Sequence, residues 1–68
     1  MVDASISQRE LEVLNLIAFE FTAKEIADQL YISINTVKTH KRHLQEKLHV
    51  RNVAGLVRRG FELGFLAA

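Results

Sequence analysis

With 68 residues, no proline and no cysteine, the chain has room for one domain near the lower size limit for a single core, and it excludes disulfides, thiolate zinc sites and thiol redox chemistry. No apolar run approaches the length of about 18 residues that crosses a bilayer, and the start MVDASISQRE lacks the charged and apolar regions of a secretion signal, so a soluble cytoplasmic domain is expected. The net charge of +1 hides a division: residues 1–31 carry two basic and six acidic side chains, and residues 32–68 carry seven basic and two acidic ones, an asymmetry that points towards a nucleic-acid or other acidic partner.

Residues 1–6 read as a flexible lead-in and residues 7–68 as the folded domain. Ser7-Gln8-Arg9-Glu10 has the S-x-x-E form of a capping box, in which the hydroxyl satisfies an orphan amide of the first turn while the carboxylate reaches back. A first helix over about 8–19 follows, with Leu11, Leu14, Ile17 and Ala18 as its apolar stripe. Thr22-Ala23-Lys24-Glu25 repeats the box and opens a short helix over 23–30 that buries Ile26, Ala27 and Leu30. Ser33 is a good cap for a third helix over 34–48, and the three residues Tyr31 to Ser33 leave so short a turn that the two helices must cross sharply, as in a helix-turn-helix. His49, which tolerates positive φ, ends the third helix.

Asn52 can cap a fourth helix over 53–63, with Val53, Leu56, Val57 and Phe61 on one stripe. Gly55 and Gly60 each cost that helix about 1 kcal/mol relative to alanine, and Gly64 before Phe65 has the form of a glycine stop with its hydrophobic contact. The expected fold is all-α: a compact four-helix domain containing a helix-turn-helix.

At 100° per residue the third helix divides its faces. Ile34, Val37, Leu44 and Leu48 point to the core, with Lys41 at the margin, while Asn35, Lys38, Thr39 and Arg42 form a stripe at i, i+3, i+4 and i+7 on the opposite side. The major groove of B-DNA, about 12 Å wide, admits a helix of that diameter. Arg and Lys can donate to guanine, Asn can pair with adenine, and the Thr39 methyl can touch a thymine methyl. Thr22, Lys24, Thr36, Lys41, Lys47 and Arg51 flank this face as candidate phosphate contacts, which position a protein without reading sequence.

The run ISQRELEVLNLIAFEFTAKEIADQLYISINTVKTHKRHLQEKLHV resembles the DNA-binding domain of LuxR-type bacterial transcription regulators, the group of the NarL, FixJ and GerE regulators. The resemblance rests on Arg9-Glu10 with Glu12-Val13-Leu14, Lys24-Glu25-Ile26-Ala27, Ile32-Ser33 with Thr36-Val37-Lys38 and His40, and Lys47-Leu48. It implies sequence-specific binding upstream of regulated promoters, with the third helix in the major groove. Its base-reading positions fall on Lys38, Thr39 and Arg42, and its phosphate contacts fall on Thr36 and Lys24. It also implies dimerisation through the fourth helix, with Leu56, Arg59, Gly60 and Leu63 as candidate contacts. The implied partners are promoter DNA, a second copy of the chain, RNA polymerase, and an N-terminal receiver or ligand-sensing domain; no cofactor is implied. The chain departs from the family at Glu20 and His49, where glycine is usual, at Ala23, where asparagine is usual, and at Val53, where arginine is frequent.

Blander readings compete for the same residues. The basic third helix could be a solvated face, with Arg42 and Glu46 an i, i+4 pair worth about 0.3–0.5 kcal/mol. His40 and His43 are spaced for a metal but have no evident third ligand, and His40 is better read as a packing residue at the core margin. Ser33, His40 and Asp28 lack any nucleophile-elbow signature, so no enzyme is expected. Two other functions stay open: a helix-turn-helix of the sigma-factor region 4 type, and a protein-binding module in which the basic helix is incidental.

Overall fold

Side-chain caps at four places divide the chain into its elements. In a computed structural model that describes residues 5–67, the helices are α1 (Gln8–Ala18), α2 (Ala23–Leu30), α3 (Ile34–Leu48) and α4 (Val53–Glu62). The expected boundaries hold to within one residue: α1 and α4 stop one position early, because Phe19 and Leu63 are their caps. Both capping boxes form. Ser7 Oγ accepts from the Glu10 amide at 3.0 Å while the Ser7 amide donates to Glu10 Oε1 at 2.9 Å, and the Thr22–Glu25 pair repeats this at 3.2 and 2.8 Å. Ser33 Oγ accepts from the Thr36 amide and Asn52 Oδ1 from the Gly55 amide, each at 3.0 Å. A cap of this kind contributes about 1 kcal/mol.

All four helices end in one geometry. A residue with positive φ reverses the chain, and the next amide bonds back five residues: Phe21 to the Leu16 carbonyl (3.0 Å), Ile32 to Ala27 (3.0 Å), Val50 to Gln45 (3.0 Å) and Phe65 to Gly60 (2.9 Å). The reversing residues are Glu20 (φ 67°), Tyr31 (58°), His49 (56°) and Gly64 (82°). Glu20 and His49 thus adopt the left-handed backbone in which glycine is usual, and they carry the steric cost of their Cβ there, about 1–2 kcal/mol each. Glu20→Gly and His49→Gly should each raise stability by about 1 kcal/mol after glycine's extra chain entropy is subtracted. For a domain of this size that is a rise in Tm of about 4–8 °C. Thermal unfolding measures it, and an unchanged or lowered Tm for both variants would contradict the assignment of strain.

The core is drawn from every helix and from the tail. Val13, Leu14 and Ile17 of α1, Ile26 and Ala27 of α2, Val37, Leu44 and Leu48 of α3, Leu56 of α4, and Leu66 beyond it are buried together. On α4 the expected stripe is only partly right. Leu56 is buried, but Val53 and Phe61 are exposed, and Gly60 takes the inner position instead. A Cβ built at Gly60 would stand 2.7 Å from Leu66 Cδ1 and 3.3 Å from Leu14 Cδ2, so glycine lets the tail fold back against α1. The helix cost of Gly60 is thereby exchanged for packing.

The expected flexible lead-in over residues 1–6 falls mainly outside the described residues, since only Ser5 and Ile6 of it are described. The Ser5 carbonyl accepts from Lys47 Nζ at 2.8 Å, and Ile6 packs against the core. Among the described residues, no helix is long and apolar enough to cross a membrane.

Candidate nucleic-acid interface

α3 packs against α1, α2 and α4, which leaves its outer face clear. On that face Asn35, Lys38 and Arg42 are exposed and Thr39 is half-buried, so the structure brings together the four residues selected by helical spacing. Over 15 residues the helix is about 22 Å long, and the stripe occupies its first two turns.

The pairing of charges singles out the same surface. Of the nine Lys and Arg residues, Arg9 pairs with Glu12 (3.7 Å), Lys24 with Asp28 (3.2 Å), Lys47 with Glu10 (2.7 Å), and Arg58 and Arg59 both with Glu62 (3.2 and 2.9 Å). The two arginines hold the Glu62 carboxyl below its ordinary pKa, Arg59 more than Arg58. Among the described residues the cations without a carboxylate within 4.0 Å are Lys38, Lys41, Arg42 and Arg51, all on α3 or the turn after it. The Arg42–Glu46 pair expected of a merely solvated face does not form. Unneutralised cations held side by side on a rigid helix favour an anion that approaches from outside.

The flanking candidates sort into two groups. Thr22 and Lys41 line one open cleft of about 330 Å³, with Phe21, Ala23 and Val37, so the start of α2 and the margin of α3 share an edge. Thr36 is exposed, with its hydroxyl 2.8 Å from that of Ser33, and Arg51 is exposed. Lys24 is exposed and holds Asp28 in a surface pair, which stabilises by at most about 1 kcal/mol and yields readily to a phosphate.

Lys47 stands apart from the other flanking candidates. Its ammonium bonds Glu10 Oε1 at 2.7 Å and the Ser5 carbonyl at 2.8 Å, so it ties the trailing end of α3 to α1 and spends two of its three N–H donors within the fold. The Glu10 carboxyl is only 5% exposed, and His43 Nδ1 stands 4.0 Å from its second oxygen. Burial pushes the Glu10 carboxyl up, but Lys47 and the amide and hydroxyl of Ser7 together outweigh it, and the net pKa is below the ordinary value. The sequence suggested Glu10 only as a capping-box partner. Its second role would have been visible had the inward-facing Lys47 been set against the absence of any other acid on the inner side of α1.

Two candidate dimer contacts lie inside the fold. Leu56 is 0% exposed and Gly60 is buried beneath Leu66, so neither has surface to offer a second protomer. Leu63 is exposed, and Arg59 is half-buried in its bond to Glu62. The outer side of α4 instead presents Ala54, Arg58 and Phe61. At the start of α3, Ile34 is 40% exposed and stands outside the core cluster.

A family model for bacterial regulatory proteins of the luxR family matches residues 4–59 of the chain. The oxygen regulatory protein NreC of Staphylococcus carnosus (strain TM300) is 46% identical to it over 52 residues, as is NreC of Staphylococcus aureus (strain JH9). Each alignment takes in 76% of this chain and 24% of the relative, so the chain spans about a quarter of the length of these curated relatives. The crystal structure of the response regulator ChrA, from a heme-sensing two-component system, superimposes with a TM-score of 0.88 at 31% identity, over 91% of this chain and 31% of that one. The transcription factor GerE superimposes with a TM-score of 0.86, also at 31% identity, over 90% of this chain and 91% of its own.

Proposed function

The chain belongs to the luxR family of bacterial regulatory proteins, and from that premise we propose that it binds double-stranded promoter DNA sequence-specifically, with α3 in the major groove, to regulate transcription. The observation that carries this reading is the confinement of carboxylate-free cations, among the described residues, to α3 and the turn after it. Lys38, Arg42 and Asn35 read base edges, assisted by Thr39. Thr22, Lys24, Thr36, Lys41 and Arg51 hold phosphates on either side.

A second copy of the chain docks through the outer side of α4, with Phe61 and Leu63 as its apolar contacts and Arg58 beside them, and the pair spans two half-sites about one helical turn apart. An N-terminal receiver domain is a further partner, in keeping with the likeness to the response regulator ChrA, and RNA polymerase is another. The protein acts in the cytoplasm, where bacterial promoters are, and needs no cofactor for binding.

Titration of the protein with duplex DNA over a range of salt concentrations tests the reading. The logarithm of the binding constant should fall linearly with the logarithm of salt, with a slope of about 0.9 for each phosphate held. Selection of bound duplexes from a random pool should then return one preferred sequence, repeated at about 10 base pairs. Binding indifferent to salt, or a pool that shows no enrichment, would exclude it.

A further inference from the structure

The exposed Ile34 stands outside the core cluster and is no member of the polar stripe. It is the first residue of α3, and it keeps 40% of its surface accessible while Val37, Leu44 and Leu48, which spacing assigns to the same side, are buried. Helical side chains tilt towards the N-terminus, so a side chain at the first position projects beyond the leading turn, further forward than Lys38 or Arg42. Around the helix it stands 40° from Lys38, on the border of the stripe. Being β-branched it has few rotamers to lose, and its exposed methyls have nothing polar to offer a phosphate. In the major groove the one apolar group on a base edge is the C5-methyl of thymine.

We infer that Ile34 is a specificity-determining residue, which selects a thymine at one position of each half-site by packing against its C5-methyl. The inference rests on the proposal that α3 enters the major groove. It adds an apolar contact at the leading end of the polar stripe, and it separates thymine from cytosine, whose edge lacks the methyl.

The test uses the duplex returned by selection, with each thymine replaced in turn by deoxyuridine, which removes the methyl and leaves base pairing unchanged. Binding is measured for the chain and for Ile34→Ala, a substitution at an exposed position that alanine fits as a helix former. Thermal unfolding confirms that the variant folds. One thymine per half-site should show a three- to tenfold weakening of the unsubstituted protein on removal of its methyl, about what one buried methyl contributes. Ile34→Ala should bind the thymine and uracil duplexes equally at that position, and Ile34→Val should fall between. Equal responses of both proteins at every thymine, or a selected site without thymine under α3, would overturn the inference while leaving DNA binding intact. A uniform loss by Ile34→Ala on all duplexes would overturn it in favour of a backbone contact. Failure of the unsubstituted chain to bind any duplex would remove the DNA reading and the inference together.

Discussion

Arg42→Ala and Lys38→Ala should each cost about 1–3 kcal/mol of discrimination at particular base pairs, a change of about 5- to 150-fold in preference, while leaving thermal stability within about 0.5 kcal/mol. Both side chains are exposed, and among the described residues neither has a hydrogen bond or ion pair to lose, so the fold should not register their removal. The measurement is a comparison of Kd on the selected duplex and on duplexes carrying single changes. A base reader loses affinity for the preferred sequence and little for the others; a phosphate contact loses it equally on all. Lys41→Ala, at the margin of the helix, should behave in the second way and reduce the salt slope by about one. If Arg42→Ala and Lys38→Ala follow Lys41→Ala, the stripe positions the helix without reading sequence.

The largest effect on stability is expected from Lys47→Met, which keeps the stem of the side chain and removes its ammonium. Glu10 would then lie buried opposite no cation, with only Ser7 and, when protonated, His43 to meet it. Breaking a fully buried pair in this way costs about 3–5 kcal/mol, and since the Lys47 side chain keeps 26% of its surface in water, about 2–3 kcal/mol is the expectation here. For a domain of 68 residues this is a large share of the total. The pH dependence has a definite sign. In the unsubstituted protein the folded pKa of Glu10 is lowered, so its contribution is fully present above the unfolded carboxylate value of about 4.3 and is lost as pH falls through the lower folded value. The deficit of Lys47→Met should therefore be widest near neutral pH and narrow in acid, as the orphaned carboxylate takes up a proton. Urea unfolding at pH 7 and at pH 3.5 decides the matter: a deficit equal at both would assign the effect to packing. The double variant Glu10→Gln with Lys47→Met should recover part of the loss at pH 7, because no charge is then left buried.

How much of this was legible in the sequence depended on how local the cause was. Ser7, Thr22, Ser33 and Asn52 were readable as caps because each acts on an amide three residues away. His49 and Gly64 were readable as stops, and Glu20 only through the glycine usual at its place in the family, whereas Tyr31 was not, since its residue type does not favour positive φ. The polar stripe on α3 was legible because helical periodicity alone fixes which side chains share a face. Periodicity failed where burial depends on what stands opposite. It placed the exposed Ile34 in the core, passed over the fully buried Val13, and treated Gly60 as a defect when it is the seat of Leu66. Lys47 and Glu10 are 37 residues apart, and no local pattern joins them.

Because Asn35, Lys38 and Arg42 make no side-chain bonds within the described part of the fold, while Lys47, Leu44 and Leu48 hold the same helix in place from behind, the proposed address and the scaffold are written in separate letters. The stripe can be rewritten without re-engineering the domain. If the stripe reads bases as proposed, changes there should redirect the protein to a new operator at little thermodynamic penalty, one exposed side chain at a time.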